Sequence, residues 1–330
     1  MRNIFIIAIL FLSQPGLWAQ PKFEPTNASP GEFSRAGFLP RGMSMGNAAS
    51  AITSGNLSAY YNPALSVFQE ESFAQASYTF LALDRNLNFL NFTRKFEFGN
   101  KTAGGPPKAT AGLSVGIINS GVSNIDGRDN QGFKTGTLST SENLLFFAFA
   151  NKFSDKVALG FGVRIYYYRL YDKINTTATG FDLGVIYTVS DNLRAAFVLQ
   201  DLNSQYKWDT SPIYNTDGMS SINKFPTTKK IAVSYNERNI EALLAGELEF
   251  NSYGRKLLRI GIEKELIRGF HLRAGLDNIV LNNKDELMQP TAGIGIVKNI
   301  SGYTLIFDYA FVVEQYSQTP RHSIGVGINY

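Results

Sequence analysis

Three features of the sequence predict an all-β protein, a transmembrane antiparallel β-barrel of about fourteen strands with an N-terminal hatch. Apolar and polar residues alternate with period two in segment after segment. The composition suits a surface that meets an apolar medium. The chain also opens with an export signal.

Hydrophobic residues make up 44% of the 330 residues, aromatics 13% and charged residues only 18%. The aromatics are 25 Phe and 16 Tyr against 2 Trp. Aromatic-rich, charge-poor chains suit β-structure with one face against lipid. The formal net charge of +4 is spread along the chain. With no basic run, nucleic acid is not an expected partner.

Residues 1–19 read as a signal peptide: Arg2, the apolar run Ile4 to Leu12, and Leu17-Trp18-Ala19 before cleavage, leaving Gln20 first. That run is too short for a membrane-spanning helix, which needs about 20 residues. Without cysteine the exported chain has no disulfide framework, so backbone pairing and packing must hold it.

Residues 71–330 carry the alternation. Ile324, Val326, Ile328 and Tyr330 alternate with small or polar residues, as do Tyr303, Leu305, Phe307, Tyr309, Phe311 and Val313. Segments of this kind begin near Ser72, Asn86, Ala109, Glu142, Val157, Thr179 and Leu193. They continue near Lys229, Ile240, Leu257, Gly269, Thr291, Tyr303 and His322. Long polar connections (119–141 and 203–228) alternate with tight turns such as Ser190-Asp191-Asn192, the asymmetry of transmembrane barrels. The junction from Gly99 to Lys108 is long where a short turn belongs. A secreted β-sandwich also alternates. Against it stand the repeat number and aromatic clusters at strand ends, such as Tyr166-Tyr167-Tyr168 with Tyr171, read as an interfacial girdle.

Residues 20–70 do not alternate, and small residues dominate them. A plug packed into a barrel mouth needs such residues, because its backbone must approach the wall closely. The run Arg41-Gly42-Met43-Ser44-Met45-Gly46-Asn47-Ala48, followed by Ala59-Tyr60-Tyr61-Asn62-Pro63-Ala64-Leu65, resembles the N-terminal hatch of FadL-like outer-membrane proteins. Within that superfamily it is most similar to the PorV/PorQ family. Asp308-Tyr309-Ala310-Phe311 and Arg321-His322-Ser323-Ile324-Gly325-Val326-Gly327 look like that family's last two strands.

The resemblance implies the outer membrane of a Gram-negative, Bacteroidota-like cell. It implies a non-enzymatic accessory of type IX secretion, docking on a translocon barrel or presenting secreted cargo. The wider superfamily implies an alternative, passage of a hydrophobic small molecule. The hatch motif residues are then Arg41, Gly42, Met43, Met45, Gly46, Asn62, Pro63 and Ala64.

Charges of both signs fall on inward-facing positions: Arg164, Arg194, Glu247, Glu249, Arg259, Glu263, Arg273, Asp277 and Asp308. Lipid-facing charge is costly, so these should line the lumen. Mixed signs favour an ion-pair network holding the hatch, with Arg35 and Arg41 as partners, over an ion-selective conduit. Catalysis is not expected. Gly112-Leu113-Ser114-Val115-Gly116 matches a nucleophile elbow, but Ser114 sits in a strand-like run, not a strand-to-helix turn. No metal or cofactor is expected, and the acidic run Asn124 to Asn130 reads as a solvated turn around Arg128.

Overall fold

A computed structural model describes residues 29–330 except 57, 71, 83–84, 100–108, 284–285, 315–316 and 318. The expected signal peptide, the start of the expected hatch segment and the Gly-Pro-rich part of the 99–108 junction lie outside the described residues.

Fourteen antiparallel strands close into a barrel. In chain order they begin with β1 (Phe73–Phe80), β2 (Asn86–Phe98), β3 (Ala109–Arg128), β4 (Lys134–Lys152), β5 (Val157–Tyr171), β6 (Ile174–Thr188) and β7 (Leu193–Leu202). A separate two-stranded hairpin follows, β8 (Gln205–Asp209) with β9 (Ser220–Lys224). The barrel resumes with β10 (Thr228–Glu237), β11 (Ala242–Asn251), β12 (Lys256–Ile267) and β13 (Phe270–Val280). It ends with β14 (Gln289–Ile300), β15 (Tyr303–Val312) and β16 (Arg321–Asn329). Pairing of β1 with β16, Phe73 opposite Asn329 through Phe80 opposite His322, leaves no open edge. Closure satisfies every strand's backbone from within, the condition for crossing lipid without helices.

The strands fall where the alternation places them, with two differences. The connection expected over 119–141 is an extension of the β3–β4 hairpin, turning only at 129–133. Its Ser, Thr and Gly residues pair as a strand, but without lipid against them they show no apolar alternation. The connection expected over 203–228 contains the β8–β9 hairpin. This packs on β6, where Lys207 N donates to Thr176 Oγ1 (3.1 Å) and Thr176 Oγ1 donates to Lys207 O (2.8 Å).

The two faces of the wall differ as a membrane requires. Leu90, Leu113, Phe149, Phe161, Ile231, Ile260, Leu305 and Val326 are exposed on the outside. Inside, small and polar residues alternate with them. The expected girdle is split: Tyr167 and Tyr171 are exposed, whereas Tyr166 is fully buried. Tyr166 packs on Phe225 (centroids 4.6 Å apart) and Tyr168 on Trp208 (5.3 Å). Neighbouring residues of one strand must face opposite ways, so a run of three tyrosines cannot be one girdle.

The described residues between 29 and 70 run inside the barrel. Two short helices, α1 (Glu32–Arg35) and α2 (Pro40–Ser44), precede a 3-10 turn over Pro63–Phe68. Helix α2 lies against β13, β14, β15 and β16, and the 3-10 turn against β2 to β6, so the segment bridges opposite walls.

Candidate functional site in the lumen

Local chemistry shapes the inner segment first. Pro40 opens α2, where its fixed φ suits the first helical position. Gly46 then turns the chain with φ +62°, and a Cβ there would lie 2.5 Å from the Leu276 carbonyl oxygen. Asn62 caps the 3-10 turn: its Oδ1 accepts from Ala64 N (3.0 Å) while its Nδ2 donates to Ser50 O (3.0 Å). Pro63 follows at the first position of the turn.

The wall makes room by omitting side chains. A Cβ on Gly160 would sit 2.2 Å from Ala64 N, and one on Gly184 2.0 Å from Asn62 Oδ1. Across the lumen, a Cβ on Gly261 would meet Met45 O at 2.3 Å and one on Gly275 would meet Gly46 N at 2.4 Å. At Gly160, Gly261 and Gly275 two backbones touch, and at Gly184 the capping side chain of Asn62 fills the space, so only glycine fits. Inward hydroxyls and amides bond the segment's carbonyls: Ser77 to Phe38 (2.5 Å), Ser234 to Ala51 (2.7 Å) and Gln200 to Tyr60 (2.9 Å). The aromatic centre is Phe38, stacked on Phe89 (4.6 Å) and edge-on to Tyr60 (4.5 Å).

Charged side chains complete the grip in three clusters. In the first, Arg41 engages Glu263 with both prongs (2.9 and 2.8 Å). Glu263 also accepts from Arg273 (2.5 Å), which reaches Asp308 (2.5 Å). Asp308 in turn accepts from Asn56 Nδ2 (2.9 Å). Burial opposes the Arg41 charge, but the Glu263 carboxylate outweighs it and holds the guanidinium above its ordinary pKa.

In the second cluster Arg259 bonds Asp277 (2.8 Å) and Glu249 (2.7 Å) and approaches Glu247 (3.3 Å). Lys230 stands 3.7 Å from Glu247 and 3.8 Å from Glu249. Asn47 Nδ2 donates to Asp277 (2.7 Å) and Ser50 N to Glu247 (3.3 Å), tying the inner segment in. In the third, Arg164 bonds Asp182 (2.5 Å) and lies over the Tyr60 ring at 4.2 Å. Asp182 accepts from Asp201 N (3.0 Å), Asp201 accepts from Tyr166 Oη (2.6 Å), and Arg35 stands 3.7 Å from Asp201.

Of the inward charges read from sequence, eight are buried in these clusters and Arg194 is apart. Arg194 shares the inward parity but sits at a strand end, donating to the carbonyls of Ser190 and Leu193 in its own turn. Among the hatch-motif residues Arg41 carries the charge, Met43 packs on Ala310 and Val312, and Gly42 lies against the Tyr61 ring. Sequence reasoning missed Asp182, Asp201 and Lys230. Asp182 shares the inward parity of Gly180 and Gly184, so the alternation contained that signal.

The inner segment divides the lumen. Toward the β8–β9 end lies a chamber of about 710 Å³, lined by Phe33, Leu81, Leu87 and Leu257 together with Arg255, Glu286 and other charges. Toward the opposite end a chamber of about 400 Å³ is lined by Arg41, Glu263, His271 and Arg273. Between them, two voids beside the segment are about 20 Å³ each, one lined by Leu39, Met45 and Tyr61 and the other by Phe38 and Tyr60.

Solved structures match this architecture. The TodX monoaromatic hydrocarbon channel, in a deltaS2S3 mutant, aligns with a TM-score of 0.56 at 12% identity, over 89% of this chain and 98% of that one. A Pseudomonas aeruginosa FadL homologue gives 0.55 at 10%, over 89% and 98%. The fold is that of the FadL-like barrels. The Pseudomonas putida toluene transporter TodX gives 0.55 at 11% identity, over 87% and 96%. No protein-family model and no curated protein matches the chain.

In this barrel wall Ser114 is an ordinary strand residue. Its Oγ accepts from Asn91 Nδ2 (2.8 Å) and shares a hydrogen bond with Thr93 (2.8 Å). His322 pairs with Tyr309 (2.7 Å). The acidic run at 124–130, expected as a turn, lies mostly in β3, where Asp126 pairs with Arg128 (2.6 Å) and with Lys134 of β4 (3.1 Å).

Proposed function

We propose that the protein is a non-enzymatic outer-membrane barrel that works through its rim and loops, as a docking accessory of type IX secretion similar to PorV/PorQ proteins. Residues 20–70 act as its hatch, and the three charge clusters are the hatch's fastening. The observation that carries this reading is the filled lumen, where voids of only about 20 Å³ flank the inner segment. A barrel so filled offers no wide path of its own, which leaves the exposed loops and rim to meet a translocon barrel or secreted cargo. The likeness of the hatch motif and the last two strands to the PorV/PorQ pattern supports the same role.

Passage of a hydrophobic small molecule is the second reading. The fold likeness to TodX favours it, as does a chamber of about 710 Å³, within the size range of ligand sites. The ion pairs in that chamber's lining count against a purely apolar ligand.

A tagged copy recovered from detergent-solubilised outer membranes tests the two. Co-purification of a large translocon barrel or surface-attachment proteins is the expected result. Recovery of the barrel alone carrying lipid-like molecules favours transport. Deletion of the gene with an unchanged set of secreted proteins contradicts the secretion role.

A further inference from the structure

Adjacent lysines on β10 face opposite ways. Lys230 turns inward to Glu247 and Glu249. Lys229 is exposed on the outside, in a row across the wall: Leu199, Lys229, Phe250, Lys256. Lys256 is also exposed. The Lys224 carbonyl accepts from Tyr253 Oη (2.5 Å), which holds Lys224 over the turn joining β11 and β12. None of the three lysines has a carboxylate within 4.0 Å among the described residues, whereas every lysine or arginine of the lumen clusters has one. Among the outward positions of β10 to β12 the acidic residue is Glu237, at the opposite end of β10 from Lys229.

Height fixes what such cations face. The ten residues of β10 span about 30 Å along the strand, or about 23 Å along the normal at a tilt near 40°. That is close to the full apolar band of a transmembrane barrel, about 25 Å. Lys229, one residue from the strand's end, therefore stands at the band's upper edge, with Ile231 and Val233 below it. Two strand spacings, about 10 Å, separate Lys229 from Lys256. Their flexible four-carbon stems can converge over Phe250, burying methylenes along the apolar row and lifting the ammonium groups to the interface.

We propose that Lys229 and Lys256, with Phe250 between them and Lys224 above, bind the phosphorylated headgroup of an outer-leaflet lipid. Clustered ammonium groups without a protein counter-ion suit the charge of a phosphate, and the apolar band beneath accepts the acyl chains. The inference rests on the reading of the barrel as membrane-embedded.

The test is the full chain in nanodiscs of phosphatidylcholine doped with phosphatidic acid, with retained lipids counted by native mass spectrometry. Wild type should enrich phosphatidic acid, and K229Q/K256Q should lose roughly fivefold of that enrichment per lysine removed. K173Q, at the exposed tip of the β5–β6 hairpin, should retain it. Equal enrichment in wild type and the double variant overturns the proposal, as does an equal loss in K173Q. Displacement of the lipid by millimolar inorganic phosphate also overturns it, since the site would then take free anions. A chain that fails to enter the nanodisc overturns the membrane reading too, whereas one that inserts without enrichment overturns this inference alone.

Discussion

The two faces of β12 present two kinds of chemistry on one backbone. Arg259, Gly261 and Glu263 face the lumen, while Ile260 and Ile262 face outward. Each inward residue has a particular partner: Asp277 for Arg259, the Met45 carbonyl for Gly261, and Arg41 with Arg273 for Glu263. The outward residues need only be apolar at the right depth. One face is fixed atom by atom and the other by a property shared by many side chains, so the same size of change should have unequal consequences.

The largest effect is expected where the inner segment leaves the wall no room for a Cβ. Valine at Gly160 or Gly184 cannot coexist with Ala64 or Asn62 in place. The barrel should still form, seen as heat-modifiable migration on gels, but the inner segment should become accessible to protease. Next is Glu263→Ala, which strands Arg41 and Arg273 without their shared carboxylate. A loss of about 3–5 kcal/mol is expected for breaking a buried pair, read as a fall in the thermal midpoint of the inner segment's release. Ile260→Lys probes the other face, and charge at the midplane of the lipid side should cost about 2–4 kcal/mol in equilibrium insertion measurements. Asn62→Ala should cost about 1 kcal/mol through loss of the cap, in the same unfolding experiment as Glu263→Ala. The smallest effect is Ile262→Leu, within about 0.5 kcal/mol, because lipid makes no shape demand. If Ile262→Leu destabilised the protein as much as Asn62→Ala, the contrast between the faces would fail.

The same contrast explains what the sequence discloses. Alternation is a local signal, so the barrel strands were legible wherever lipid enforced it. Beyond the lipid the rule lapses: Thr135, Thr137 and Ser139 pair in β4 without an apolar row, and β9 is exposed throughout. Parity located the buried charges, including Glu247 and Asp308, because a charge must avoid the lipid side. It could not assign partners. Arg41 and Glu263 lie 222 residues apart, and nothing local links them. Arg194 shows the limit of parity, since an inward position at a strand end reaches a turn and not the clusters. Asp201 was hidden for a different reason. It sits at a bulge with φ +58°, where the pairing of β6 with β7 shifts register and the alternation slips.

The central claim is that the inner segment fills the lumen and leaves the rim and loops to act. Conductance across a planar bilayer containing the purified full chain tests it most directly. A quiet wild-type barrel, and steady current once Gly160→Val has displaced the segment, is the predicted result. A stable open-pore current through the wild-type protein would contradict it.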